Sequence, residues 1–341
     1  MNQFQTHLPT MALLFAVTLA LSLGLTPLAR LLALKRGLVD MPGDARRVHA
    51  SPVPRLGGLA MYAAFAVGVL LTFVVNINRV SEGNGRYEST RVLLLLAGAG
   101  IIALVMAVDD IRGLRPLPRL LWQVGVALLV VVPSLIWPGG SNDREVAGTV
   151  HFDQGAGVLA IAVQSPFGGT IQLPLLMAIA FTLFWIVGST NTINWIDGLD
   201  GLAGGVTVVA CLVLFVITGP VLGQWTLAYL PLLLGASTLG FLPYNVHPAR
   251  IFMGDSGAMF IGFTLAVISI IGGAKLAVAL LVIGIPMLDG VYMIIYRLYR
   301  GKSPLSADRG HLHHRLLDIG LSQQQVVMVF LLLCGLFGLI S

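Results

Sequence analysis

Ten stretches of the chain are each long and apolar enough to form a membrane-spanning helix, and this constrains the fold more than any other feature of the sequence. A spanning helix needs about 20 apolar residues. The runs fall at about 10–34, 57–76, 92–108, 120–137, 173–190, 203–221, 226–243, 256–273, 275–296 and 324–341. Of the 341 residues, 57% are hydrophobic and 10% are charged, where a soluble domain carries about 25% charged residues. One soluble core cannot hide that much apolar surface, which excludes a soluble enzyme, a disordered tail and a disulfide scaffold. Cys211 and Cys334 both lie inside apolar runs, so neither a disulfide framework nor a zinc knuckle is available. The expected fold is an all-α polytopic integral membrane protein of about ten transmembrane helices, with 1–341 as one domain.

The first ten residues, MNQFQTHLPT, contain no Lys or Arg. A cleavable signal needs a basic leading segment, so the first run reads as a true span. With the N-terminus outside, 15 of the 20 Lys and Arg residues fall on inner loops, leaving Arg79, Arg86, Arg91, Arg144 and Lys275 outside. Basic residues collect on cytoplasmic loops, so both chain ends are expected to face outward. The same rule accounts for the formal charge of +5 without any nucleic-acid partner. The inner loops then fall at about 35–56, 109–119, 190–202, 244–255 and 297–323, and the outer ones at about 77–91 and 138–172. Alternation and glycines in GTVHFDQGAGVLAIAVQ and GGTIQL predict a small hairpin in the longer outer loop.

All three Glu residues, Glu82, Glu88 and Glu145, fall outside with Asp143 and Asp153, while the other ten carboxylates are Asp on or near the inner face. Asp109, Asp110, Asp197, Asp200, Asp255 and Asp289 sit where loops meet apolar helices. Ionisable groups at membrane depth are costly and mark sites. Helix capping by Asp explains one or two of them, but not repeated occurrence on one face.

Four segments carry the chemistry. In AVDDIRGLRPLPRLLWQ, the adjacent Asp109 and Asp110 repel unless a cation or proton lies between them, or the following arginines balance them. In NTINWIDGLDGLAGG, Asn191, Asn194, Asp197 and Asp200 recur every three residues and would line one face of a helical turn, unless the segment is only a glycine-rich turn. In ARIFMGDSG, Gly254 to Gly257 precede an apolar helix whose free N–H groups suit phosphate, with Phe252 placed to stack on a base, or form a plain helix cap beside a core Phe. In ADRGHLHHR, His311, His313, His314 and Arg315 suit phosphate oxygens and sugar hydroxyls, or zinc, or an ordinary basic loop. The proline-rich loop MPGDARRVHASPVPRLGG suits a lipid head group, a nucleotide, or neither. Pro286 and Gly290 beside Asp289 predict a broken or kinked helix.

These segments in order, from about Asp40 to Leu316, resemble the polyprenyl-phosphate N-acetylhexosamine-1-phosphate transferases, the glycosyltransferase 4 family of membrane enzymes that start bacterial surface-glycan assembly. The HLHHR form is similar to the WecA/TagO-type branch, which uses UDP-GlcNAc or related sugars. The peptidoglycan branch has a plain histidine triplet there. The resemblance implies a multi-pass protein of the bacterial inner membrane. It would transfer an N-acetylhexosamine 1-phosphate, GlcNAc-1-phosphate first among them, from the UDP-sugar to undecaprenyl phosphate and release UMP, the first membrane step of a cell-surface polysaccharide such as O-antigen or teichoic acid. It also implies Mg²⁺, with Mn²⁺ as a substitute, and raises a homodimer that no residue pattern specifies.

Carried over by motif position, Asp255 and Asn194 would hold the metal, with Asp197 in support. Asp200 and Phe252 would bind uracil, with Asn191 on the same nucleotide-binding segment. Arg119 would contact phosphate. His311, His313, His314 and Arg315 would lie over the diphosphate and sugar. Asp109 would deprotonate the lipid phosphate, with Asp110 nearby.

Three other readings use some of the same residues. A CDP-alcohol phosphotransferase expects Ala-Arg after its first DG, where this chain continues GLAGG. An ion-coupled transporter puts its Asp sites at the midplane. An aspartyl intramembrane protease needs a second transmembrane Asp in a Tyr-Asp context.

Overall fold

The computed structural model describes residues 3–41, 52–75, 85–136, 150–152, 157–164, 170–271, 276–301 and 310–340. Arg46, Arg47, Lys275, Lys302, Arg309 and most of both expected outer loops lie outside the described residues. Every one of the ten apolar runs is helical: α1 (Gln3–Lys35), α2 (Gly57–Val74), α3 (Gly85–Arg112), α4 (Pro116–Ile136), α5 (Leu175–Ile196), α6 (Leu202–Val216), α7 (Trp225–Asn245), α8 (Gly254–Ile271), α9 (Leu276–Tyr299) and α11 (Gln323–Ile340). Among the described residues, eight helices, α1 to α8, are long and apolar enough to cross a membrane. The other two expected runs form α9 and α11. Leu13, Leu121, Trp122, Phe184, Leu212 and Leu288 stay exposed on the perimeter, as lipid-facing side chains do. Hydroxyls inside the bundle turn back onto their own helix: Thr182, Thr190, Thr207 and Thr264 each donate to the carbonyl four residues earlier, at 2.7 Å. These four hydroxyl hydrogens are thereby kept from an apolar environment.

The structure corrects three local expectations. The segment expected outside forms a three-stranded antiparallel sheet, β3 (Val150–Phe152), β4 (Ala160–Gln164) and β5 (Thr170–Gln172), because a third strand pairs with the expected hairpin. Helix α9 continues through Pro286 and Gly290 without a break. Gly290 instead makes room for a neighbour, since a Cβ there would lie 2.1 Å from the Trp195 ring. The expected loop 297–323 contains a seven-residue helix, α10 (Leu312–Asp318).

Helix α8 is the axis of the bundle. It is apolar on all sides, and every residue from Ser256 to Ile271 is buried, as expected of a helix with no polar face. Helices α3 and α5 pack along it. Its first turn is pinned by α2: Gly57 and Gly58 donate their N–H groups to the Phe252 and Met253 carbonyls at 3.1 and 2.9 Å. The two backbones come so close that a Cβ on Gly58 would lie 2.1 Å from the Gly257 nitrogen. Leu56, just before α2, adopts a left-handed φ of 88°, a strained conformation for a bulky side chain. The two-residue strands β1 (Val39–Asp40) and β2 (Val53–Pro54) pair antiparallel nearby, and the Pro54 carbonyl accepts the Phe252 N–H at 2.8 Å. Residues distant in sequence are thus fixed at one end of the bundle.

Candidate active site

That end contains a cavity of about 430 Å³. Its lining includes Asp109 and Asp110 from the end of α3, Arg119 from α4, Asn194 from α5, Asp197 and Asp200 from the turn after α5, and Phe252 and Asp255 from the start of α8. These charged and polar side chains gather because each terminates or begins a helix at the same level. Eight of the thirteen residues expected from the sequence therefore share one space.

Arg119 ties the cluster together. Its Nε lies 3.0 Å from Asp109 Oδ2 and its Nη2 lies 2.5 Å from Asp255 Oδ2. Asn194 Nδ2 donates to the other Asp255 oxygen at 2.7 Å. Asp109 also accepts the Leu114 N–H at 2.5 Å. Asp110 faces elsewhere, accepting the N–H groups of Asp255 and Ser256 at 2.9 and 3.1 Å. Two sequence expectations are decided here. Neighbouring positions on a helix diverge by about 100°, so the adjacent carboxylates take separate partners, and Asp109 meets one of the following arginines, the second of the arrangements the sequence allowed. The first turn of α8 is not an open phosphate cradle, because the Asp110 side chain caps it.

Asp197 is the least satisfied acid: among the described residues no side chain or backbone group donates to its carboxylate. Burial, then the charges of Asp255, Asp110 and Asp200, hold its carboxyl well above the usual carboxylate range. Asp200 turns toward His247 Nδ1 at 2.8 Å and the Ala249 N–H at 3.0 Å. Asn191 does not reach the cavity. Its amide bonds Gln123 Oε1 at 2.6 Å and the Val187 carbonyl at 2.8 Å, one helical turn deeper. The expected single face of Asn191, Asn194, Asp197 and Asp200 is split twice: Asn191 lies about 4.5 Å deeper along α5 than Asn194, and α5 ends at Ile196, so Asp197 and Asp200 leave the helical spacing.

The histidines form a second layer behind the cavity wall. His313 is 2% exposed and sits against Gly198, where a Cβ would lie 2.6 Å from its Nε2. Neither ring nitrogen of His313 has a hydrogen-bond partner among the described residues. Burial, then the neighbouring His314 and His311, push its imidazole down from 6.5 to about 3. His311 and His313 stack at 5.8 Å, and His313 and His314 lie 4.3 Å apart. Arg315 is exposed and lies 5.9 Å from the Tyr292 ring centre.

The sequence reading gave no role to four further polar lining residues. Asp40 and Arg55, which pair with each other, lie in a motif that carried a signal without an assignment. Asn245 accepts the Gly201 N–H at 3.1 Å and shapes the turn. Gln323, at the start of α11, had no sequence signal beyond being polar at a helix end.

Among the described residues, no three His, Cys, Asp or Glu side chains stand ready-made around a metal. The donor set still fits a hard divalent cation: Asp197 is unpartnered, Asp255 lies near it, and like-charged carboxylates at short range favour a shared cation.

The family model of glycosyl transferase family 4 matches residues 92–273, which span α3 to α8. The probable undecaprenyl-phosphate N-acetylglucosaminyl 1-phosphate transferase of Bacillus subtilis is 35% identical over 334 residues, covering 95% of this chain and 82% of that protein. The decaprenyl-phosphate N-acetylglucosaminephosphotransferase of Mycolicibacterium smegmatis is 35% identical over 335 residues, covering 91% and 76%. A phospho-N-acetylmuramoyl-pentapeptide-transferase of Staphylococcus aureus is 30% identical over 308 residues, covering 87% of each.

Proposed function

This chain belongs to glycosyl transferase family 4, and on that premise we propose how it transfers N-acetylglucosamine 1-phosphate to undecaprenyl phosphate. The donor is a UDP-N-acetylhexosamine. An oxygen of the lipid phosphate attacks the phosphorus that carries the sugar. The new P–O bond gives undecaprenyl-pyrophosphoryl-sugar, and the bond to the bridging oxygen breaks to release UMP. The protein is multi-pass, the membrane is the bacterial inner membrane, and the cavity opens on its cytoplasmic face, where the bases of the inner loops collect.

One observation carries the reading: Asp109, Arg119, Asn194, Asp197 and Asp255, from four separate segments, line a single cavity at the bundle end. Phosphoryl transfer is largely positioning and charge neutralisation, and this cavity supplies both. Asp255 and Asn194, with Asp197, would hold Mg²⁺ or Mn²⁺, which would supply charge neutralisation for the diphosphate. Arg119, anchored by Asp109 and Asp255, presents a guanidinium to phosphate oxygens. Asp109 takes the proton of the incoming lipid phosphate, and Phe252 and Asp200 form the uracil end. Asp110 acts on Asp255 through the backbone. An ion-coupled transporter would carry such acids midway along its helices, whereas here they sit at helix ends.

The test incubates the purified protein with labelled UDP-GlcNAc, undecaprenyl phosphate and Mg²⁺. Label is expected in the organic phase with one UMP per transfer, both abolished by a chelator. Release of UDP in place of UMP would sink the phosphotransferase reading and indicate a sugar transferase.

A further inference from the structure

Asp289 lies outside the cavity lining, yet its carboxylate is fully engaged. Oδ2 meets His311 Nδ1 at 2.9 Å, and Oδ1 accepts the Leu312 backbone N–H at 2.9 Å. One side chain of α9 therefore holds both the ring that begins α10 and the helix's first amide. The next residue, Gly290, is where the Trp195 ring of α5 packs. Trp195 stacks in turn on His311 at 6.1 Å, and His311 stacks on His313. His313 presses on Gly198, next to Asp197. A continuous line of contacts thus runs from Asp289 to the wall of the cavity.

An ionised carboxylate only accepts hydrogen bonds. The proton shared between Asp289 and His311 is therefore carried on Nδ1, and this leaves Nε2 of a neutral His311 as the basic nitrogen. No other group among the described residues bonds the His311 ring. A carboxylate behind an imidazole sets its tautomer and orientation wherever the pair occurs.

We infer that Asp289 is a positioning residue for the transfer: it fixes His311 with Nδ1 protonated and Nε2 free, and it clamps the histidine helix α10 onto α9 and α5. This rests on the function proposed above. Asp289 touches neither diphosphate nor lipid, and acts only through His311.

The pair can be tested without removing the helix cap. In Asp289→Asn the amide oxygen keeps the Leu312 N–H, because a backbone donor cannot reverse while an imidazole can. The amide NH₂ then faces Nδ1 and forces His311 into the opposite tautomer. Full-length wild type, Asp289→Asn and Asp289→Ala are purified in detergent and assayed for UMP release with UDP-GlcNAc, undecaprenyl phosphate and Mg²⁺, alongside thermal unfolding. Asp289→Asn is expected to keep the wild-type Tm and a KM within about twofold, while kcat falls at least about tenfold. Asp289→Ala is expected to lose both kcat and Tm. Wild-type kcat in Asp289→Asn would overturn the inference, as would a Tm loss in Asp289→Asn as deep as that of the Ala variant. If Asp289→Ala does not fold, wild type and Asp289→Asn decide the matter alone. A wild type that releases no UMP would refute the proposed function instead, which separates the two failures.

Discussion

The Asp110 carboxylate closes the first turn of α8 by accepting the backbone N–H groups of Asp255 and Ser256. Position 254 must stay glycine for this contact, since its φ is +70° and a Cβ there would lie 2.5 Å from Asp110 Oδ2. An acid that the sequence pairs with Asp109 therefore serves as a helix cap that aims Asp255 into the cavity.

An Asn at position 110 has one acceptor oxygen for two N–H groups and turns its NH₂ toward the other, and loss of a cap costs about 0.5–2 kcal/mol. Asp110→Asn is expected to lose part of the Tm and of turnover, and Asp110→Ala to lose more of both. Thermal unfolding with UMP release checks this. An Asn variant that is inactive but as stable as wild type would mean that the charge of Asp110 itself takes part in the chemistry.

Asp255 is bridged by Arg119 on one oxygen and Asn194 on the other. Asp255→Ala removes the link between them and is expected to lower kcat by about 10²–10³-fold, the range seen when one charge-stabilising group is deleted. Steady-state kinetics would show it. A loss confined to KM would place Asp255 in ground-state binding alone.

Asp197 gives a pH-dependent stability. Its folded-state carboxyl is raised, so the native protein binds a proton that the unfolded chain has already released. Stability contributed by this group is present below the ordinary carboxylate pKa and is lost as pH rises through the raised one. Without a divalent cation, Tm is expected to fall with rising pH across that window. Asp197→Asn is expected to flatten the fall, and Mg²⁺ to offset it in wild type. A Tm profile identical in wild type and Asp197→Asn would contradict the assignment.

His313 acts in the opposite sense. Its imidazole titrates near 3 in the fold and near 6.5 when exposed. Between those values the unfolded chain binds the proton and the native protein does not, so stability falls as pH drops through this window. His313→Gln is expected to show less acid destabilisation than wild type between pH 6.5 and 3. Unfolding midpoints measured across that range provide the check.

The approach of α2 to α8 leaves no space for a methyl group. Gly58→Ala places a Cβ on the Gly257 backbone, and overpacking of this kind costs about 1–3 kcal/mol. A lower Tm and lower activity together are expected. A variant as stable as wild type would show that the two helices separate readily.

The helices were legible in the sequence because apolar length alone specifies a span, and the carboxylates were legible because acids at helix ends have no reason to recur in an apolar chain. Partners were not legible. Periodicity placed Asn191 with Asn194, but a three-residue step also moves about 4.5 Å along the helix axis, which sets Asn191 below the cavity against Gln123, while Asp197 and Asp200 lie beyond Ile196, where α5 ends. Adjacency allowed Asp109 and Asp110 a shared cation or the following arginines, and the third dimension gave each its own donors. Gln323 reaches the cavity only because α11 begins beside it, and no local pattern records that. Pro286 and Gly290 resembled a helix break, but Gly290 is small because the Trp195 ring lies against it.

Enclosure of α8 along its whole length has a mechanical consequence. A rod gripped by its neighbours on every side cannot tilt or slide without tearing its own packing, so Asp255, on its first turn, is held in a stationary position at the cavity wall.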